Sequence, residues 1–276
     1  MKMKFAIVDG KRVEAAPGLK GTCILCETEV IAKCGKIRIW HWAHKTIQTC
    51  DHWWEPKTEW HRSWQDLFPL DWQEVVHHSE TGEKHIADVK TAREWVLEIQ
   101  YSALRPEERQ ARNEFYPKLV WIVNGTRRKN DQEKFFRALN AGIRIHPQQL
   151  LINAPSSECG LLQEWVNGRV PVFLDFREPD RLWLLIPFAT NGRAFVLAFP
   201  RSTFIDFHRE TPAQPGDDFE KLVNEVAEWV SVNIRGAQPA ISMAPPPPPQ
   251  INQLPGPLSY REYLARMYRA RNQRRL

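Results

Sequence analysis

Two neighbouring apolar stretches within residues 84–100 have the alternating pattern of short β-strands joined by a tight turn. The first stretch carries Asp88, and the second carries Glu98 and Gln100. Because side chains alternate along a strand, Glu98 and Gln100 point to one face and Ile99 points to the other. Polar side chains on one face, opposed by an aspartate, suit a divalent cation such as Mg²⁺. The alternative is a hairpin whose polar face meets water.

The residues around these strands predict a helix, three strands, a helix and a strand. Trp60 and Trp64 recur with helical spacing, which predicts a helix that Thr58 caps and that ends near residue 68. Glu59 and His61 flank its apolar stripe, so either side chain can reach the edge of the sheet. The first of the three strands is predicted at residues 72–77.

The second helix of this series begins at Pro106, with acidic residues in its first turn. Arg109, Arg112 and Tyr116 recur on one face of it. A buried strand is predicted at residues 119–123. The two arginines either face a bound anion or form a solvated face with the neighbouring glutamates.

The first 56 residues combine a hairpin signal with a cluster of cysteine and histidine. Asp9-Gly10 between two apolar stretches predicts a two-residue hairpin turn. A Cys-x-x-Cys knuckle followed by strands and a His/Cys pair has the spacing of a zinc ribbon. The preferred ligands are Cys23, Cys26, His44 and Cys50, with His41 as an alternative to His44 and His52 as an alternative to Cys50. Ordinary buried cysteines with one reactive thiol are the competing interpretation, and Cys34 is interpreted as a bystander.

The second half of the chain predicts a small α+β extension over residues 126–237, with no catalytic group of residues. Helices are expected at residues 129–141, 161–168 and 217–235, and strands at residues 170–176, 181–188 and 194–200. Asn191-Gly192 predicts a hairpin between the last two strands.

Two further segments complete the predicted organisation. Residues 238–258 are rich in proline and favour an extended linker, and residues 259–276 predict a basic helix. This tail either contacts a nucleic-acid backbone, docks onto a protein partner or is a solvated tail.

Composition changes this picture in two ways. The 276 residues have a formal net charge of +5, and the tail alone supplies six arginines against one glutamate, so the preceding chain is neutral on balance. Four of the five cysteines lie in the first fifty residues, which favours a metal site over disulfides in a reducing compartment. No apolar run is long enough to span a bilayer, and a cytoplasmic location without membrane contact is expected.

The motifs taken together resemble those of the CoiA-like competence protein family over residues 20–125. The matching residues are Cys23-x-x-Cys26, His41-Trp-Ala-His44, Glu59-Trp-His61-Arg62, Ala87-Asp88-Val89, Glu98-Ile-Gln100-x-Ser102 and Glu108-x-x-x-Arg112-x-x-x-Tyr116. The resemblance implies a PD-(D/E)xK restriction-endonuclease-like core of order αβββαβ, fused to a zinc-ribbon-like module. It also implies an α/β (α+β) nuclease that acts on DNA during uptake or recombination.

The resemblance implies a role for each candidate residue. Asp88 and Glu98 ligate Mg²⁺ or Mn²⁺ together with the Ile99 carbonyl, and Gln100 positions the attacking water. Glu59 is a further acidic ligand or base, and His61 or His85 shuttles a proton. The alternative for both histidines is an imidazole that is exposed at the surface or packed in the fold, without a catalytic role. Arg112, with Arg109 and Tyr116, contacts nucleic acid at the scissile or an adjacent phosphate.

Two departures from the wider nuclease pattern affect the expected chemistry. No proline precedes Asp88, and Gln100 stands where the wider superfamily has lysine. Glutamine orients a water but carries no charge to offset that of the phosphate. A DNA-binding or recombination-mediator protein that keeps the fold without cleaving DNA is therefore the second hypothesis.

Overall fold

The computed structural model describes residues 2–46, 50–187, 192–209 and 218–235. Its elements divide into an N-terminal unit, up to Leu119, and a C-terminal unit, from Val120. Each unit contains both strands and helices, so the predicted mixed α/β class is confirmed. The finer boundaries expected at residues 56, 125, 237 and 258 stay predictions.

An antiparallel sheet of six strands forms the first part of the N-terminal unit. Its strands are β1 Lys2–Met3, β2 Phe5–Val8, β3 Lys11–Glu14, β4 Lys20–Thr22, β5 Glu29–Lys33 and β6 His41–His44, in the order β1-β6-β5-β4-β2-β3. The apolar core of this sheet includes Met3, Val30 and Trp42, and it also holds the buried Cys23. The sheet therefore brings the cysteine knuckle next to its own core.

The β2–β3 hairpin is formed as predicted. Asp9 and Gly10 both have positive φ angles, 48° and 75°, and β2 pairs with β3 directly across them. A two-residue turn of this kind needs positive φ at both central positions, which aspartate and glycine accept most readily. The prediction of this turn is confirmed.

The rest of the N-terminal unit follows the predicted order of helix, three strands and helix. Its elements are α1 Glu59–Gln65, a 3₁₀ turn at Leu70–Trp72, β7 Gln73–His78, β8 Lys84–Lys90, β9 Val96–Gln100 and α2 Pro106–Phe115. The three strands are antiparallel neighbours, with β8 in the middle, and Val89 pairs with Leu97. This order and register set Asp88 beside β9.

Helix α1 begins where the sequence predicts and ends earlier. The Thr58 hydroxyl accepts a hydrogen bond from the His61 backbone N–H at 3.2 Å, as an N-cap does. The helix ends at Gln65. Beyond it, hydrogen bonds between residues three apart form turns up to the proline, and one of them runs from the Phe68 N–H to the Gln65 carbonyl. The predicted end near residue 68 was therefore too late, because these last residues form turns rather than α-helix.

The C-terminal unit contains six strands and four helices within the described residues. They are β10 Leu119–Asn124, α3 Asp131–Asn140, β11 Ile143–Arg144, β12 Leu151–Pro155, α4 Gly160–Trp165, β13 Val172–Asp175, β14 Arg181–Leu185, β15 Arg193–Pro200, α5 Arg201–Arg209 and α6 Asp218–Arg235. The strand order is β11-β12-β15-β14-β13-β10, with β10 and β13 parallel and the other pairs antiparallel. The predicted helices and strands are present, while β11, β12 and α5 carry no prediction.

Several predicted features fall outside the described residues. These are Asn191 of the predicted turn, the proline-rich linker and the basic tail. Among the helices that the structure describes, none combines the length and the apolar character needed to cross a bilayer.

Gly21 in β4 provides a test of the packing of the N-terminal sheet. A Cβ atom there would lie 2.6 Å from the Ile7 carbonyl oxygen and 2.9 Å from the Val8 Cγ2. We expect Gly21→Ala to lower the free energy of unfolding by roughly 1–3 kcal/mol, measured by chemical denaturation. Gly35→Ala is the matched control, because no atom lies within 4 Å of its added Cβ, and it should change stability by about 0.5 kcal/mol at most. Equal effects of the two substitutions would contradict this packing.

Candidate active site

Four predicted metal ligands converge at the edge of the N-terminal sheet. Cys23 and Cys26 lie in the turn after β4, His44 ends β6, and Cys50 follows it along the chain. One donor atom from each of these residues lies within 4.8 Å of all the others. This cluster can hold a metal ion and is compatible with a zinc ribbon.

The distances within this cluster fit a tetrahedral zinc site. The Cys23 and Cys50 Sγ atoms are 3.7 Å apart, and the Cys26 Sγ atom is 3.3 Å from the His44 Nε2 atom. A tetrahedron with zinc–sulfur bonds of about 2.3 Å has sulfur–sulfur edges of about 3.8 Å. The hydrogen bond from Cys50 lowers the pKa of the Cys23 thiol to about 5, despite its burial. The same hydrogen bond raises the pKa of the Cys50 thiol, so the Cys23 sulfur is the first of the pair to form the thiolate that binds a metal.

The predicted alternative ligands lie apart from this cluster. The His41 Nδ1 atom is 2.8 Å from the Ile39 carbonyl, and His52 groups with Asp51 and His85 instead. Cys34 is half-buried at the end of β5 and is not a member of either group. The structure thus brings together the preferred set of four.

Asp88 is buried in β8 and is surrounded by donors from three elements. The Lys57 ammonium forms a short ion pair with its Oδ1 atom, and the His61 Nε2 atom lies 3.0 Å from its Oδ2 atom. The Ile99 backbone N–H also donates to the Oδ2 atom, at 2.8 Å. Burial alone would raise the pKa of Asp88, but His61 and Lys57 outweigh it and hold the pKa well below its usual range. Asp88 is therefore an anion at neutral pH.

Glu98 is the second buried carboxylate of the site. Its Oε2 atom accepts a hydrogen bond of 2.8 Å from the Arg112 Nη1 group on α2. Burial and the nearby Asp88 charge raise the pKa of Glu98 to about 7, against the opposing effect of Arg112. Asp88, Glu98 and Gln100 are all buried, so the alternative of a hairpin with a solvated polar face is wrong.

Gln100 is held by Glu55, a residue for which the sequence carries no prediction. Its Nε2 group donates to the Glu55 Oε2 atom and to the Ser102 carbonyl, both at 3.0 Å. Glu55 also accepts from the backbone N–H groups of Tyr101 and Ser102. The Gln100 amide is thus fixed at the end of β9, beside a third carboxylate.

These side chains surround a small cavity inside the N-terminal unit. It has a volume of about 30 Å³, whereas about 10–15 Å³ is enough for one water molecule. The polar side chains in its wall are those of Lys2, Asp51, Glu55, Lys57, Glu74, Asp88, Glu98, Gln100, Arg112 and Tyr116. Five of them are carboxylates, which are the ligands that Mg²⁺ and Mn²⁺ prefer.

Two oxygen atoms of these carboxylates have no hydrogen-bond partner among the residues that the structure describes. Glu74 Oε1 and Glu98 Oε1 are buried, and no donor among the described residues reaches either atom. The other oxygen of Glu74 accepts a hydrogen bond from the Lys4 backbone N–H at 2.7 Å. Buried polar atoms are nearly always paired, so two unpaired oxygens in one cavity wall fit a cation that is their missing partner.

His85 lies on a separate branch of the same network. Its Nδ1 atom is 2.8 Å from the Asp51 Oδ1 atom, and its Nε2 atom is 2.9 Å from the Glu83 Oε1 atom. Trp53 stacks on the imidazole, with ring centroids 3.4 Å apart. Burial lowers the pKa of His85, but the hydrogen bonds to Asp51 and Glu83 outweigh it and raise the pKa above its usual value.

The remaining candidates occupy different positions. Tyr116 is buried in the cavity wall, where its ring packs near Trp53. Glu59 is exposed and lines a neighbouring cleft, not the cavity that contains Asp88. Arg109 is half-buried on α2 and does not line the cavity.

Five polar residues of the cavity wall carry no prediction from the sequence: Lys2, Asp51, Glu55, Lys57 and Glu74. Glu55 and Lys57 precede α1 in a loop, where alternating charge is usual for solvated residues. Glu74 follows the 3₁₀ turn at the start of β7 and has a positive φ angle of 46°. The local feature that indicates a structural role for Glu55 and Lys57 is the proline between them. It favours an extended chain, in which successive side chains point to opposite sides.

Residues 19–52 match the family model described as competence protein CoiA, N-terminal domain. The predicted resemblance to CoiA-like competence proteins is confirmed over these residues. This match contains all four ligands of the cysteine–histidine cluster, and the segment with Asp88 and Glu98 lies beyond it. Comparison with curated proteins and with solved structures gave no significant match.

The Asp51–His85 pair predicts a pH dependence of stability. The pKa of His85 is higher in the folded protein than its value of 6.5 in the unfolded chain. The pair therefore stabilises the fold fully at pH values below 6.5, and this stabilisation is lost as the pH rises through the pKa of the folded protein. We expect the difference in free energy of unfolding between the wild type and His85→Gln to shrink from pH 6 to pH 9. Chemical denaturation at fixed zinc concentration measures it.

His78→Gln is the control for this profile, since His78 is exposed at the end of β7. The difference in free energy of unfolding between His78→Gln and the wild type should stay small from pH 6 to pH 9. A difference for His85→Gln that is constant with pH would contradict a charged Asp51–His85 pair.

Proposed function

We propose that this chain is a metal-dependent nuclease that hydrolyses phosphodiester bonds of DNA. The observation that carries the proposal is the water-sized cavity walled by five carboxylates, with unpaired oxygens on Glu74 and Glu98. The predicted PD-(D/E)xK order of elements supports it, because this order is present from α1 to β10. The CoiA match supports a competence-related role in DNA uptake or recombination.

Asp88, Glu98 and Glu74 are the residues that would hold Mg²⁺ or Mn²⁺ in this cavity. Such an ion supplies Lewis-acid polarisation of the phosphate and lowers the pKa of a bound water. Glu98, with a pKa of about 7, ionises near neutral pH and so becomes a better cation ligand as the pH rises. Asp88 is charged throughout, and the Ile99 N–H fixes its orientation.

Lys57 supplies the positive charge that Gln100 lacks. Its ammonium is buried next to Asp88, and the charges of Asp88, Glu74 and Glu55 raise its pKa although burial opposes this. A lysine that is charged at this point can offset the growing charge of the phosphate and orient the attacking water. We therefore propose that the catalytic lysine comes from the loop before α1 rather than from β9.

Arg112 and His61 have positioning roles in this proposal. Arg112 spans Glu98, Glu108 and the Trp53 carbonyl, so it sets the position of the Glu98 carboxylate. Burial lowers the pKa of His61, against the raising effect of Asp88, and its imidazole lies between Lys57 and Asp88.

We also propose that the cysteine–histidine cluster binds structural zinc. Cys50 is followed at once by the residues that build one wall of the cavity: Asp51, Trp53, Glu55 and Lys57. Anchoring Cys50 to a metal would therefore hold this segment in place. A structural zinc site also stabilises a small sheet that has a limited core.

A second candidate function is DNA binding without cleavage. It is favoured by Gln100, whose amide is occupied by Glu55 and Ser102 and carries no charge. In this alternative, Lys57 and Arg112 permanently neutralise Asp88 and Glu98, and no metal enters. A protein partner at the linker or the basic tail, and a cytoplasmic location, stay predictions in either case.

Cleavage of DNA tests the nuclease directly. We expect labelled DNA to be cut with Mg²⁺ or Mn²⁺, and Asp88→Asn, Glu98→Gln and Lys57→Met each to lower the rate by about 100-fold or more, since each removes a ligand or charge of the reaction centre. Glu133→Gln, at an exposed position of α3, is the control and should keep the wild-type rate. Circular dichroism checks that each variant is folded.

The same experiment separates the two candidate functions. Wild-type protein that binds DNA and binds no Mn²⁺ by titration would favour the non-cleaving alternative. Cleavage that persists in both Asp88→Asn and Glu98→Gln would contradict the proposed site.

The zinc proposal predicts a link between metal content and the cavity. We expect one zinc per chain by elemental analysis, and Cys50→Ser to lower zinc content, thermal stability and DNA cleavage together, because residues 51–57 lose their anchor. Cys34→Ser is the control, since Cys34 is outside the cluster, and it should retain zinc. Wild-type protein without stoichiometric zinc would contradict the proposal.

A further inference from the structure

A buried arginine on α1 has hydrogen-bond donors that no acceptor in the described part of the chain reaches. Arg62 is only 8% exposed, and no hydrogen-bond partner among the described residues reaches its Nε or Nη1 atoms. Burying an unpaired charge is unfavourable, so such a group is rarely kept without a ligand. The free donors of a guanidinium match the oxygens of a phosphate or carboxylate.

Arg62 lines a cleft whose charge favours an anion. The cleft has a volume of about 410 Å³ and lies in the N-terminal unit. Its lining residues are Lys2, Ile37, Arg38, Ile39, His41, Lys57, Glu59 and Arg62. Four of these side chains are cationic and one is acidic. Burial lowers the pKa of His41, as do the charges of Lys2, Arg62 and Arg38, which indicates a positive potential inside the cleft.

The cleft adjoins the proposed reaction centre. Lys2 and Lys57 line both this cleft and the cavity that contains Asp88 and Glu98. An anion held by Arg62 would therefore lie next to a group bound at Asp88. Two neighbouring sites of this kind suit successive phosphates along one nucleic-acid strand.

Three residues of the loop between β5 and β6 line the cleft: Ile37, Arg38 and Ile39. Residues 30–50 contain four lysines and arginines and no aspartate or glutamate. Lys36 and Arg38 are exposed in this loop, and so are two large apolar side chains, Ile37 at 97% and Trp40 at 50%. Basic residues interleaved with exposed aromatic and apolar ones are typical of surfaces that bind single-stranded nucleic acid, where bases stack on side chains.

We propose that this cleft binds a backbone phosphate of single-stranded DNA through Arg62 and Arg38, while Trp40 and Ile37 contact the adjoining bases. The inference rests on the proposed function, because it identifies the substrate of the same site as a single strand. The strand would pass from the β5–β6 loop, across Arg62, to the cavity at Asp88. Duplex DNA presents no free base faces to Trp40, so it would bind less tightly.

Fluorescence anisotropy of a labelled oligonucleotide tests this surface without requiring cleavage. Full-length protein is titrated with single-stranded DNA and with the matching duplex, in buffer that contains no added Mg²⁺ or Mn²⁺ and no chelator. We expect Arg62→Gln to weaken single-strand binding about tenfold or more, as loss of a charged hydrogen bond does. The slope of log K against log salt should fall by about 0.7 for each phosphate that the variant no longer neutralises.

The control variants separate this role from a structural one. Arg137→Gln removes an arginine that is exposed on α3 and paired with Glu133, and it should leave binding unchanged. Arg62→Gln should retain or raise the midpoint of thermal unfolding, because it removes an unpaired buried charge. Arg38→Gln, at an exposed position, tests the same cleft if Arg62→Gln fails to fold. Trp40→Ala should weaken single-strand binding and leave duplex binding unchanged.

The outcomes of these measurements test this inference separately from the proposed nuclease activity. Unchanged affinity and salt dependence in both Arg62→Gln and Arg38→Gln would overturn the inference, even if the wild type cuts DNA. Duplex binding as tight as single-strand binding, with no effect of Trp40→Ala, would also overturn it. Arg62-dependent binding of single strands by a protein that cuts nothing would support the inference and contradict the nuclease.

Discussion

Burial of negative charge is the constraint on which the N-terminal unit depends. Asp88 and Glu98 lie side by side on β8 and β9, away from bulk water, and each is paired with a cation, Lys57 or Arg112. An unpaired buried carboxylate would be strongly destabilising, so both cations must reach the sheet. One comes from the loop before α1 and the other from α2. The position of these two elements on the sheet is therefore set by charge as much as by apolar packing.

This constraint also connects the cysteine–histidine cluster to the cavity. The chain runs from Cys50 to Lys57 in eight residues, and within them Asp51, Trp53 and Glu55 all bind groups of the other elements. These polar contacts hold the segment together with the buried Trp53 ring, which stacks on His85. The position of the segment then depends on what fixes its two ends: the cluster at one end and the Thr58 cap of α1 at the other.

The parts of the site that the sequence predicted are those with a local pattern. Strand alternation predicted the positions of Asp88, Glu98 and Gln100 on their strands, and ligand spacing predicted that Cys23 and His44 belong to one cluster. The Asp9-Gly10 pair was sufficient to predict the turn between β2 and β3. Lys57 and Glu74 escaped prediction, because each belongs to an irregular segment and acquires its role from residues that are distant in sequence. The order of elements was predictable from periodicity, whereas the early end of α1 depends on turn bonds that no periodicity reveals.

The backbone at Glu74 has a further consequence. A positive φ costs a residue with a side chain about 1 kcal/mol or more, and glycine or asparagine would adopt it more easily. Glu74 nevertheless keeps this conformation, with one carboxylate oxygen bound to the Lys4 backbone and the other without a donor in the described ranges. Selection of variants for heat resistance alone would therefore be expected to replace Glu74 early. The residue marks a position where local stability and the charge of the cavity favour different amino acids.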